Sequence, residues 1–263
     1  MAAMRRRPHL VSQVSHVSLL SLVLVFLAAA PAAAQAGASS EETRAGGETR
    51  QIDAAVGEAL AALDERVAQI RARLDGPERP DDPAWVAKKL EVMRDADQAI
   101  RNSLFEIPAG IEGEAAQAAW REGVTARMGA ADEAHTAELA ALIDRHGWFR
   151  ISVFGEEADA DAWLLVQHAD RDVAFQKRVL ALLEPLVEME ETSPSHYAYL
   201  WDRVAMNEER PQRYGTQGRC TGPGTWEPFE IEDPERVDER RAATGLQPLD
   251  EYAKLFAERG YCP

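Results

Sequence analysis

The chain has 263 residues, enough for one large domain or two small ones whose core needs no metal or dense disulfides to hold it. It carries 45 Asp and Glu against 29 Lys and Arg, a formal net charge of −16 that argues against nucleic-acid binding and against an electrostatic hold on anionic lipid. An apolar content of 46% excludes a mostly disordered chain.

Residues 1–36 read as a secretory signal. Arg5, Arg6 and Arg7 form a positive start, Val17 to Ala30 is rich in Leu, Val and Ala, and Ala34-Gln35-Ala36 places small residues where a signal peptidase needs them. The competing reading is an uncleaved anchor, but Pro31 and the alanines weaken the end of that stretch. The protein is therefore expected to be exported, periplasmic or secreted, with no stable membrane span after cleavage. Residues 37–48 are small and polar and are expected to form a disordered leader. Residues 49–263 are expected to form a single helical domain.

Helical periodicity dominates the chain from about residue 50 to Pro211. Ile52, Val56, Leu60, Leu63, Val67, Ile70 and Leu74 make one apolar stripe, and Gly76-Pro77 ends it. Such a helix serves either as one member of a bundle or, through residues 52–74, in self-association. Asp82 and Pro83 suit the start of a second helix to about Asn102, with Trp85, Leu90, Met93 and Ile100 on its apolar face. After a loop at 105–113, Glu114 to His146 is helical again, with a break expected near Gly129. Ile151 to Phe154 is β-favouring but too isolated to make a sheet. Helices are expected from Gly155 to Ala169, from Asp172 to Glu191 with a kink at Pro185, and from an N-cap at Ser193 to about Glu209.

After Pro211 the character changes. Tyr214 to Pro228 holds four glycines and two prolines, so it cannot be regular helix, and a small hairpin fits between Tyr214 and Glu230. Two short helices follow, Asp233 to Thr244 and Leu249 to Arg259. The fold expected is mainly α: seven or eight helices in a bundle with a loop-rich C-terminal cap. Beyond the signal the two cysteines are Cys220 and Cys262, and an even count in an oxidising compartment favours one disulfide over two unpaired thiols. The loop of about 43 residues that it closes gives at most about 4 kcal/mol in the chain-entropy view.

The strong catalytic signatures are missing: no HExxH, GxSxG, P-loop, GxGxxG or paired CxxC occurs. The motifs name no cofactor. What remains is polar residues between the apolar faces. Gln167, His168 and Asp170 close one helix and Gln176 opens the next, where His168 can work as an acid or base beside Asp170. The bland alternative makes them a helix cap and a polar core slot. Tyr199, Asp202 and Arg203 share a helix, where aromatics around an ion pair can wall a pocket or fill a core. Gln212, Tyr214, Thr216 and Gln217 put donors and acceptors on a loop, to bind a ligand or to satisfy the loop's own backbone. Asp97 and Arg101 form an i, i+4 pair. Asp132 and His135 have helical spacing, and His168 with Asp170 adds donors of the same type. No ligand-spacing rule is matched, so no metal is expected.

These pieces in this order resemble the bacterial domain of unknown function 6624 family. The resemblance lies in Met93 to Arg101, His146-Gly147-Trp148, Ala162 to Asp170, Phe175-Gln176, Ala198 to Arg203, Pro211 to Gln217 and Val237 to Arg241, and covers roughly residues 92–252. It implies a helical fold and no particular activity. Phe149 stands where the family pattern expects Pro, and His135 where it expects Asn.

Two readings of function compete. In the first, His168, Asp170 and Asp202 are catalytic candidates. Gln167, Gln176, Tyr199, Arg203, Gln212, Tyr214, Thr216, Gln217, Asp97 and Arg101 are then ligand-binding candidates in one cleft of a hydrolase- or transferase-like site. In the second, the same motifs are a structural hydrogen-bond network in a non-enzymatic envelope interaction protein.

Overall fold

The apolar stripe of the first helix is covered inside the chain. The computed structural model describes residues 40–260 and 262, so the signal read at 1–36 lies outside the described residues. Helix α1 (Ser40–Arg71), α2 (Pro83–Asn102) and α3 (Glu114–His146) pack together. Val56, Leu63 and Val67 of α1 are buried against Ala96 and Ile100 of α2 and Trp120 and Val124 of α3. Ile52, Leu60 and Ile70 of the same stripe are only partly buried. Helix α1 also begins at Ser40, inside the stretch expected to be a disordered leader. Glu41, Glu42, Arg44 and Ala45 are ordinary helix formers, and acidic residues suit a helix start.

Local chemistry sets most of the other boundaries. The Asp82 carboxylate accepts from the Ala84 N–H at 3.0 Å, with Pro83 in the first turn of α2. The break expected at Gly129 does not occur, and α3 runs unbroken. A helical glycine costs only about 1 kcal/mol relative to Ala, less than is gained by burying Trp120, Val124, Leu139, Leu142 and Ile143 along one helix. Ile151–Phe154 is a single helical turn, α4, rather than extended chain. Among the described residues no strand lies beside it to pair with. Instead the Ile151 N–H donates to the Glu191 carbonyl at 3.1 Å, and the Ser152 N–H donates to the Glu191 carboxylate at 2.9 Å.

Helices α5 (Glu156–Gln167), α6 (Val173–Glu188) and α7 (Pro194–Asn207) complete the bundle, and Pro185 lies within α6. Ser193 precedes α7 but does not cap it with its side chain; its hydroxyl meets that of Ser195 at 2.8 Å. The main core gathers Val86 and Leu90 of α2, Leu139 of α3, Ala162 and Val166 of α5, Val179 and Leu183 of α6 and Leu200 of α7. Among the described residues no helix is long and apolar enough to cross a membrane.

The C-terminal cap is built on a hairpin. Strands β1 (Gly218–Gly222) and β2 (Thr225–Pro228) pair antiparallel, with Cys220 opposite Trp226 and a bulge before Gly222. A 3₁₀ turn (Pro234–Arg236) leads into α8 (Val237–Ala243), and α9 (Leu249–Glu258) follows. Trp226 stacks on Phe256 of α9 at 4.6 Å, and Tyr252 meets both rings edge-on. A disulfide joins Cys220 to Cys262, with Cα atoms 5.4 Å apart. Among the described residues there are nine α-helices, one more than the upper expectation, and the chain is mainly α with this small hairpin.

Candidate functional site

Helices α2 and α5 bring the first polar group together. Arg94 of α2 holds Asp161 of α5 at 2.9 Å. One turn further along α2, Asp97 reaches His168, which stands immediately after α5. The turn at 168–170 ends α5, and the Asp172 carboxylate caps α6 by accepting from the Phe175 N–H at 2.9 Å.

Asp97 is buried and surrounded by donors. His168 Nδ1 lies 2.9 Å from its Oδ2, Gln98 Nε2 donates at 2.8 Å, and Arg101 Nε donates at 3.0 Å. The Arg101 guanidinium also binds Asp132 of α3, so one cation bridges two carboxylates. Asp132 and His168 line a cavity of about 340 Å³ together with Thr136, Ala140, Ala169 and Arg171. Asp97, Asp132 and His168 present ligand-type atoms within 4.8 Å of one another. Arg101 already supplies positive charge between the two carboxylates.

The electrostatics pushes these groups apart. Burial alone would raise the Asp97 pKa, but His168 and Arg101 hold it well below the usual carboxylate range. Burial lowers that of His168 against the pull of Asp97, so the imidazole is neutral at pH 7. Burial raises Asp132 to about 6, with Arg101 opposing and Asp97 and Asp170 assisting. His135, one turn along α3, is lowered to about 4 by burial, and its Nδ1 is buried with no hydrogen-bond partner.

A second network adjoins the first. Arg203 of α7 donates from Nε to Gln167 Oε1 at 3.0 Å and from its guanidinium to Asp170 at 2.6 Å. Gln176 Nε2 donates to Asp170 at 3.1 Å and to the Val166 carbonyl at 3.1 Å, and Asn207 donates to Gln176 Oε1 at 3.1 Å. Burial would raise Asp170, but Arg203 holds it down.

Asp202 lies one residue from Arg203 and faces elsewhere. Its fully buried carboxylate accepts from the N–H groups of Arg213 (2.8 Å), Tyr214 (3.1 Å) and Thr216 (2.8 Å) and from the Thr216 hydroxyl (3.0 Å). Burial raises it, and these bonds oppose the rise. Gln212 closes the same loop: its Oε1 accepts from the Gln217 N–H at 2.7 Å and its Nε2 donates to the Gln217 carbonyl at 2.8 Å. Arg241 of α8 donates to the Tyr214 carbonyl at 2.6 Å.

The single cleft expected from the sequence therefore divides in two. Asp97, Arg101, Gln167, His168, Asp170, Gln176 and Arg203 come together. Asp202, Gln212, Tyr214, Thr216 and Gln217 form a separate sealed knot in which side chains satisfy the loop's own backbone. Asp202 anchors that loop instead of facing the cavity. Tyr199 belongs to neither group; its ring meets Trp163 and Tyr252 edge-on at 5.7 and 6.2 Å. Arg203, a ligand-binding candidate, is tied to Asp170 and Gln167. Sequence reasoning did not place Asp132, Thr136 or Asn207 in the site. The spacing of Asp132 and His135 was the only signal, and it points to one helix face without saying what that face meets.

A family model described as "Family of unknown function (DUF6624)" matches residues 84–262, and the chain belongs to that family. No curated protein and no solved structure matches the chain.

Proposed function

We propose that the cavity between α3 and the α5–α6 corner is an acid–base site for a small molecule. His168 is its proton acceptor, Asp132 its proton donor, and Asp97 positions the imidazole. One observation carries the reading: a buried Asp97–His168 pair stands at the wall of a cavity that Asp132 also lines. The imidazole exchanges a proton with a ligand, and Asp97, 2.9 Å from Nδ1, stabilises the imidazolium that forms. Environments that leave an imidazole neutral and hold a carboxyl near pH 6 give one acceptor and one donor in a single cavity. A hydrolytic or group-transfer reaction without a covalent serine or cysteine suits this pair.

The test is a thermal-shift screen of small metabolites against the wild type, His168→Ala and Asp132→Asn. Compounds that bind the wild type and lose about tenfold or more in affinity in both variants support the reading. Ligands that bind all three proteins equally, or turnover that survives His168→Ala, refute it. For Asp202 and residues 212–217 we favour the structural reading, because four donors already saturate that carboxylate.

We also propose that the protein is exported through residues 1–36. The disulfide supports this, since a reducing cytosol opposes such a crosslink. Fractionation of cells with and without residues 1–36, with thiol titration of each pool, tests it. Equal distribution of the two forms would refute export.

A further inference from the structure

The charges around the cavity are unevenly matched. Asp132, Glu133 and Asp172 stand on its wall, and Asp97 and Asp170 lie behind it. Against these five carboxylates stand three guanidinium groups. Arg101 is tied to Asp97 and Asp132, and Arg203 to Asp170 and Gln167. Arg171 is on the wall, but Glu133 holds it at 2.6 Å and its side chain is 73% exposed, so it sits at the rim. His168 and His135 are uncharged at pH 7. No cation of the wall is presented inward to a carboxylate or phosphate. Ala137, Ala140 and Ala169 supply small apolar surface on the same wall.

We propose that the ligand of this cavity is a small organic amine, its ammonium group facing Asp132 and Asp172 and its hydrocarbon part lying on Ala137, Ala140 and Ala169. The cation completes the charge balance that the protein's own arginines leave short, and the attraction is least screened at Asp132, which is part-buried, while Asp172 is exposed. The amine keeps its charge in the site, since an alkylammonium is a far weaker acid than a buried imidazolium. Binding of the amine needs charge and shape alone and does not rest on the acid–base reading.

The probes are n-butylammonium and putrescine, with n-butanol and butyrate as neutral and anionic matches. They are titrated into the protein without residues 1–36 at low and high salt, observing alanine methyl and histidine ring signals by NMR. The amines are expected to shift the Ala140, Ala169 and His168 signals and to bind at least about tenfold more tightly than butanol or butyrate. Asp172→Asn keeps a side-chain oxygen for the α6 cap while removing the charge. It should weaken amine binding several-fold, and Ala140→Leu, which fills the cavity, should abolish it. Equal binding of butanol or butyrate overturns the proposal, as does amine binding indifferent to both variants, which would report only counterions around an acidic chain. The ring state of His168 is read separately without ligand. A neutral ring with no amine binding removes this proposal and leaves the acid–base reading; a charged ring at pH 7 with amine bound does the reverse.

Discussion

His135 and Asp132 stand three residues apart on α3 and tie stability to pH with opposite signs. His135 is 3% exposed and is pushed down to about 4, whereas the unfolded chain takes up its proton near 6.5. A base depressed in this way gives stability that is present above pH 6.5 and is lost as pH falls towards 4. The gap of about 2.5 units at 1.36 kcal/mol each amounts to about 3 kcal/mol. Asp132 is raised to about 6 from an unfolded value of 3.8, so the folded state keeps a proton that the unfolded chain has released. Its contribution is present below pH 3.8 and is lost as pH rises through 6, again about 3 kcal/mol. Between pH 4 and 6 the two nearly cancel. His135→Asn should unmask the aspartate, making the protein gain stability on acidification by about 3 kcal/mol relative to the wild type. Asp132→Asn should unmask the histidine and lose a similar amount, and the double variant should again run parallel to the wild type. Urea unfolding followed by circular dichroism across this range measures each difference, and the other carboxylates drop out because every variant shares them. Three parallel profiles would refute the assigned burial of both groups.

Other substitutions probe the C-terminal cap. Asp202→Asn turns an amide towards backbone donors and should cost about 2–3 kcal/mol in thermal unfolding. It should also speed hydrogen exchange at Tyr214 and Thr216 while leaving the His168 ring signals in place; unchanged exchange would contradict the anchoring role. Cys220→Ser should lower stability by at most about 4 kcal/mol and deprotect α9 first. Uniform loss of protection across α2 and α5 would count against a local clamp. At Gly218 an added Cβ would stand 2.3 Å from both the Glu227 carbonyl and the Trp226 ring. Gly218→Ala should therefore cost about 1–3 kcal/mol, and a melting temperature equal to wild type would disprove that packing.

The sequence made the helices readable and left their meetings hidden. The stripe from Ile52 to Leu74 announced α1, but only the tertiary structure shows that α2 and α3 cover it. Asp97 and Arg101 were legible as an i, i+4 pair of the kind that usually sits in solvent. Their importance comes from α5 delivering His168 to the same face, a contact spanning 71 residues that no local spacing encodes. Asp202 and Arg203 looked like one functional unit because they are neighbours in sequence. Neighbours on a helix point about 100° apart, so they serve different networks. Gly129 and Ile151–Phe154 were misread for one reason: local propensity carries little energy against burial, or against a waiting acceptor such as Glu191.

That same divergence on α7 sets how the helix tolerates changes in length. Asp202 grips the 212–217 loop and Arg203 grips the α5–α6 corner, so α7 meshes with two neighbours at once. Inserting or deleting a single residue within α7 upstream of Asp202 would rotate both grips by about 100° and disengage them together. Natural length variation among relatives should therefore collect in the loops on either side of α7, at 189–193 and 208–211, while the spacing within the helix stays fixed.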